Sequence, residues 1–303
     1  MATSISRSLP RPAAGPSRAA VTERLRAAGC VYAEEEAALL LDTAGSPAEL
    51  AGMLDRRVAG LPLEHVLGWV EFCGLRIAVD PGVFVPRRRT ELLARRAAAL
   101  TRRGGVVVDL GCGSGAVGRA IAALAGVVRL HAADIDPAAV ACARRNLAGS
   151  GGRVHAGDLY EALPQRLRGR VDVLVANVPY VPSAAVDLLP REARIHEPLV
   201  ALDGGTDGLD VIRRVTGAAG EWLSPGGHLL LEASTGQVPA VVAALTAAGL
   251  VPAVVTDEEL GATIVIGRHR RRAGQDAVGM PSAGGGSGVA GYSFTGPSAS
   301  SVS

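Results

Sequence analysis

Val106-Val107-Val108-Asp109-Leu110 runs without a break into Gly-Cys-Gly-Ser-Gly-Ala-Val-Gly, and this junction at residues 106–118 constrains the fold more than any other stretch. A short, almost wholly apolar run suits a strand covered on both faces. The glycines after it let the backbone turn sharply and let a ligand approach closely. The helix that follows offers its unpaired N–H groups at the same place.

The alternation continues from residue 105 onward. Candidate strands lie at 106–110, 129–134, 153–156, 171–177, 227–234, 251–257 and 262–268, with helical patterns between most of them. This predicts an α/β fold with a doubly wound sheet. Upstream the pattern differs. Residues 19–60 read as short helices, with Ser46-Pro47-Ala48-Glu49 as a helix start, and 71–86 alternates like strands broken at Asp80-Pro81-Gly82. A further helix is expected from Thr90 to Leu100. The expected division is a disordered tail at 1–18, a helical unit at 19–68 and a β-hairpin linker at 69–89. The α/β domain at 90–268 and a second disordered tail at 269–303 complete it.

Composition narrows the function classes. Hydrophobic residues make up 48% of the 303, yet aromatics only 3%, so the core must be built from Ala, Val and Leu. All 31 basic residues are arginine, and the net charge of +2 is too small to argue for nucleic acid by bulk electrostatics. The opening MATSISRSLPRPAAGPSR is superficially like a transit peptide, but its three prolines and missing amphipathic face favour a tail. Cys30, Cys73, Cys112 and Cys142 form no C-x-x-C pair, which suits reduced thiols in the cytoplasm. No run of 18 apolar residues predicts a membrane span. The six histidines lack ligand spacing, so no metal is expected, and Cys112 reads as a small filler.

Gly113, Gly115 and Gly118 spell G-x-G-x-x-G, which fits either a dinucleotide or S-adenosylmethionine. Asp109 would face a pyrophosphate unfavourably but suits an ammonium group, and Gly111 begins the turn two residues before the dinucleotide match. Asp134 ends the second strand, where it can take ribose hydroxyls. Asp158, in Gly157-Asp158-Leu159, can accept from an adenine amino group or cap the following segment. Together these motifs resemble the class I methyltransferases. That resemblance implies S-adenosylmethionine bound along Asp109, Gly111, Cys112, Gly113, Ser114, Gly115, Asp134, Asp158, Leu159 and Asn177.

Asn177-Val178-Pro179-Tyr180 ends the fourth strand and resembles the N-P-P-Y signature of methyltransferases that alkylate planar nitrogens in adenine, cytosine or a glutamine side chain. An amide nitrogen is a poor nucleophile because its lone pair is delocalised. The Asn177 oxygen and the Val178 carbonyl can hold its two hydrogens, so that catalysis is mainly positioning and desolvation. Pro179 restricts Val178 to an extended conformation, and Tyr180 offers a flat face.

The flanks are more specific. LEHVLGWVEFCGLRIAVDPGVFVPRRRTELL (63–93), EARIHEPLVALDGGTDGLD (192–210) and LSPGGHLLLE (223–232) with Gln237 are similar to segments of the HemK/PrmC family, protein-(glutamine-N5) methyltransferases. The resemblance spans roughly residues 20 to 268. It implies a seven-stranded Rossmann-like domain and, as substrate, the glutamine of the Gly-Gly-Gln loop in peptide chain release factors. It further implies docking through the helical unit. Ribosome association and a monomer are expected, and no membrane partner is expected. The weak net charge and the absence of a recognisable target-recognition domain argue against DNA. The alternatives are glutamine in a large-subunit ribosomal protein, an amino group of adenine or cytosine, or a catalytically inactive binding module. Three departures stand out. The family pattern P-R-P-E-T-E becomes Pro86-Arg87-Arg88-Arg89-Thr90-Glu91, Val178 replaces a proline, and the helical unit is short. Arg87 to Arg89 could meet an acidic or RNA-bearing partner, although a solvated cluster is the commoner outcome for such a run, and Glu197 could brace the pocket or end a helix.

Overall fold

The computed structural model describes residues 16–270. Most of both expected tails, 1–18 and 269–303, lies outside the described residues. Four helices come first: α1 (Arg18–Ala27), α2 (Ala33–Thr43), α3 (Pro47–Val58) and α4 (Leu63–Leu67). Two carry serine caps. Ser17 Oγ accepts from Ala20 N, and Ser46 Oγ accepts from Glu49 N with Pro47 in the first turn. Their apolar faces close on Val21, Leu25, Leu40, Met53, Leu54 and Val66.

Strands β1 (Trp69–Phe72) and β2 (Leu75–Ala78) form an antiparallel hairpin with Trp69 opposite Ala78. The chain does turn at Asp80-Pro81-Gly82, where Val83 N donates to Asp80 O. The hairpin itself, however, closes at Cys73-Gly74, both with positive φ (51° and 73°). A two-residue turn of that handedness matches the twist of the strands. Cysteine is not a usual signal for it, so the break was expected further on.

Seven strands make the main sheet: β3 (Val106–Leu110), β4 (Arg129–Asp134), β5 (Arg153–Ala156), β6 (Val171–Ala176), β7 (Leu223–Glu232), β8 (Val251–Asp257) and β9 (Ala262–Arg268). Their order is β5-β4-β3-β6-β7-β9-β8, with β9 antiparallel to both neighbours and the rest parallel. Strand β7 begins at Leu223, ahead of the expected 227, because a register shift opposite Val171 and Val173 admits the Pro-Gly-Gly segment.

Helices α5 (Glu91–Leu100), α6 (Ala116–Ala125), α7 (Pro137–Leu147), α9 (Asp210–Trp222) and α10 (Val238–Ala247) flank this sheet, and the short α8 (Arg191–His196) stands in the loop after β6. All five β3 residues are buried. One apolar cluster joins Leu174, Leu229 and Leu231 to Ile212 and Trp222; another joins Val107, Val173 and Leu230 to Leu93 and Ile121. Burying each such side chain stabilises the fold by roughly 1.5–3 kcal/mol. The strand order reverses between β3 and β6, so a crevice opens beyond their C-terminal ends. Among the described residues no helix is long and apolar enough to cross a membrane.

Candidate active site

Two clefts meet at the reversal point. The first is lined by Gly111, Gly113, Asp134, Asp158, Leu159 and Asn177 among the residues singled out from sequence, and by Val178 and Pro179 as well. The second is lined by Arg87, Arg89, Tyr180, Glu192 and Glu197, and shares Asn177, Val178 and Pro179 with the first, together with Phe84 and Ala201. The tetrapeptide therefore forms the polar part of the wall between them, with Phe84 and Ala201 as its apolar part and Tyr180 facing the second cleft.

On the first side the glycine loop does most of the shaping. Gly111 has φ +64° and packs so closely on Val178 that a β-carbon would lie 3.2 Å from Val178 Cγ1. Asp134 Oδ2 accepts from Gly113 N at 2.8 Å, and Oδ1 accepts from Asp136 N at 2.9 Å. Burial nonetheless raises its pKa. Asp158 pairs with Arg214 at 2.6 Å while still lining the cleft. Its side chain makes no cap bond to the short 3-10 turn behind it, so the capping alternative does not hold.

Four expected cofactor residues are not among those lining the first cleft. Asp109 is 1% exposed and Oδ2 accepts from Gly118 N at 2.8 Å, so it anchors the start of α6 from beneath. Burial pushes its carboxyl up to about 7. Cys112 and Ser114 are buried under the loop, and burial raises the Cys112 thiol well above its usual range. Gly115 packs on α7, where a β-carbon would meet Ala143 at 3.2 Å. Side chains alternate along β3 and the turn, so only part of the motif can face outward.

Among the residues that sequence reasoning missed, Phe84, Ile135, Pro198, Val200 and Arg214 also line the first cleft. Ile135, 55% exposed directly after Asp134, was the readable signal: an apolar residue beside a strand-end acid. The others arrive from the linker, the loop after α8 and α9.

The tetrapeptide is held from behind. Asn177 Nδ2 lies 3.5 Å from Thr90 Oγ1. Gln237 Nε2 donates to Tyr180 O at 2.8 Å and to Asp207 O at 3.2 Å. Gly208, at φ +76°, lets the chain pass so near that a β-carbon would lie 2.3 Å from Tyr180 O. The glycine-rich D-G-G-T-D-G segment is thus a brace for the wall.

The arginines are largely neutralised. Arg87 Nη2 donates to both oxygens of Glu197 at 2.6 and 2.7 Å, and Glu197 also accepts from Val85 N. Burial raises the Glu197 pKa in spite of Arg87. Glu197 also stands at the C-terminal end of α8, so both readings of it hold. Arg89 pairs with the buried Glu232 at 3.0 Å. Buried Arg57 of α3 donates to Glu36 of α2 and to Glu192 of α8 at 2.6 Å each, tying the helical unit to the second cleft. Elsewhere, His131 Nδ1 lies 3.0 Å from His155 Nε2 across the sheet edge, and burial lowers His131 to about 4. Among the described residues no three His, Cys, Asp or Glu side chains are grouped to hold a metal.

Comparison with known proteins bears on the same region. The family model "Methyltransferase small domain" matches residues 74–205. A release factor glutamine methyltransferase of Geobacter sulfurreducens is 37% identical, over 73% of this chain and 79% of its own. One of Streptomyces coelicolor is 42% identical, over 61% and 68%. A 4-amino-L-phenylalanine/4-methylamino-L-phenylalanine methyltransferase of Streptomyces pristinaespiralis is 39% identical, over 64% and 68%.

Proposed function

The chain belongs to the release factor glutamine methyltransferase family, and on that premise we propose that it methylates the side-chain amide nitrogen of a protein glutamine, in the Gly-Gly-Gln loop of a peptide chain release factor. It has the class I methyltransferase fold, and its methyl donor is S-adenosylmethionine. The first cleft fits that donor. A strand-end carboxylate, Asp134, suits ribose hydroxyls, while Ile135 and Leu159 offer apolar faces beside Asp158 for an adenine ring. When bound, the donor supplies an electrophilic methyl group on a positively charged sulfur.

The observation that carries the reading is the placement of Asn177, Val178 and Pro179 in both clefts at once. A planar acceptor in the second cleft would reach the first only past this wall. There the Asn177 Oδ1 and the Val178 carbonyl accept the two N–H bonds of the target amide and turn its nitrogen towards the donor. With Thr90 beside Asn177 Nδ2, the opposite edge of the side-chain amide is left for that role. Pro179 holds Val178 extended, which needs no second proline before it. Tyr180 supplies the flat face. Exclusion of water strengthens each of these contacts, and the proton leaves for solvent after transfer. The ion pairs of Arg87 and Arg89 favour a neutral amide over a phosphate backbone as the second cleft's occupant. On this reading the helical unit docks the release factor, the chain acts as a monomer, and the reaction takes place in the cytoplasm, with the ribosome nearby.

The test is one set of incubations with labelled S-adenosylmethionine and, separately, release factors, ribosomes, nucleic acid and 4-amino-L-phenylalanine. Label on the Gly-Gly-Gln glutamine is expected. Label on nucleic acid or on the free amino acid, with none on protein, overturns the reading.

A further inference from the structure

Arg89 stands where the family pattern carries an acid, and its contacts lead straight to the acceptor wall. Its guanidinium serves two partners at once: Nε donates to Glu232 Oε1 at 3.0 Å and Nη2 donates to the Tyr180 hydroxyl at 2.7 Å. The Tyr180 hydroxyl in turn donates to the same Glu232 oxygen at 3.0 Å. The three groups form a closed circuit in which the phenol both accepts and donates. Glu232 is 3% exposed, and among the described residues its second oxygen has no hydrogen-bond partner. It ends β7 one register step beyond Leu231, which pairs with Ala176, so it stands beside Asn177 at the sheet edge.

Resting on the reading above, we propose that Arg89 and Glu232 are positioning residues: they clamp the Tyr180 phenol and thereby fix the aromatic face against which the target amide is presented. Arginine suits this place because its rigid fork reaches both partners, whereas an ammonium would serve one. An acid at position 89 would set a second carboxylate beside Glu232, and the phenol would lose its donor. The circuit is therefore this chain's own solution for holding the ring. The state of the phenol agrees with it. Burial, and then Glu232, push Tyr180 up to about 12, while Arg89 acts against them.

The test is a double-mutant cycle on the methylation of a release factor. Arg89→Ala should lower kcat about tenfold while KM and cofactor affinity stay within about twofold, since misplacement of the acceptor chiefly slows the transfer step. In a Tyr180→Phe background the same substitution should change kcat less than about twofold, because the hydroxyl it acts through is gone. An equal fall in both backgrounds, or no fall in either, overturns the clamp. Arg89→Ala leaves Glu232 buried without its cation, so the cycle is repeated with Arg89→Lys, which keeps the charge but serves one partner and should still show most of the fall in kcat; a lysine variant with native kcat overturns the clamp. A second readout does not depend on activity. With 13C-labelled tyrosine, the Tyr180 Cζ resonance should titrate at lower pH in Glu232→Gln and at higher pH in Arg89→Ala. Unmoved titration in both rejects the circuit. If the native chain methylates no release factor, the functional reading falls, and the resonance still decides the clamp.

Discussion

The two clefts are built in different ways although they share a wall. The glycine-loop floor of the first cleft, the proposed donor side, is assembled from near neighbours in the chain: Gly113 meets Asp134 across 21 residues and Gly118 meets Asp109 across 9. The acceptor side is assembled across the molecule: Arg87 meets Glu197 over 110 residues, Arg89 meets Glu232 over 143 and Gln237 meets Tyr180 over 57. The floor of the first cleft is a property of consecutive strands and turns, closed over by Phe84, Pro198 and Arg214 from farther along the chain, whereas the polar contacts of the second depend on the finished sheet throughout. Damage to each should therefore read out differently, in donor affinity on one side and in turnover on the other.

The sharpest separation is expected at the wall. Asn177→Ala should lower kcat by roughly a thousandfold, with donor affinity held within about tenfold, as measured by single-turnover kinetics and calorimetry. Retained turnover would remove the side-chain amide from the mechanism. Asp134→Ala should show the reverse, weakening donor binding by about 10–100-fold, with kcat at saturating donor changed far less. A matching fall in kcat would blur the two sides into one.

Gln237→Ala tests the brace. Losing its bonds to Tyr180 O and Asp207 O should lower kcat about tenfold and the melting temperature by a few degrees, because two backbone carbonyls lose a donor. The smallest effect is expected at Asp109, which lies under the donor side without facing it. Its carboxyl titrates at about 7 when folded and near 3.8 otherwise. The native state therefore holds more protons across that window, and the stability due to this group falls as pH rises from about 4 to 7. Asp109→Asn should flatten part of that slope in thermal unfolding curves. A slope unchanged by the substitution would mean that Asp109 folds already ionised.

Much of this was legible in the residues. The strand–turn–helix junction at 106–118, the acid at 134 and the tetrapeptide at 177–180 all sit at the crevice edge, because apolar runs and glycine turns are local signals. Asp109 was misplaced for a physical reason. An acid beside a glycine loop is close to the ligand in sequence, yet the pleat of β3 turned it under α6, where Gly118 N was waiting. The turn at Cys73-Gly74 was hidden because cysteine there adopts a conformation usually left to glycine or asparagine.

The sequence by itself determined the order of strands and helices, the glycine loop and the amide wall, since these rest on periodicity, turn chemistry and short-range bonding. Tertiary structure alone decided which acids face the cleft and which lie beneath it. It alone turned an exposed-looking run of arginines into partners for Glu197 and Glu232. A charge has no fixed meaning until burial chooses its partner, and that choice is made by strands that meet only when the sheet closes.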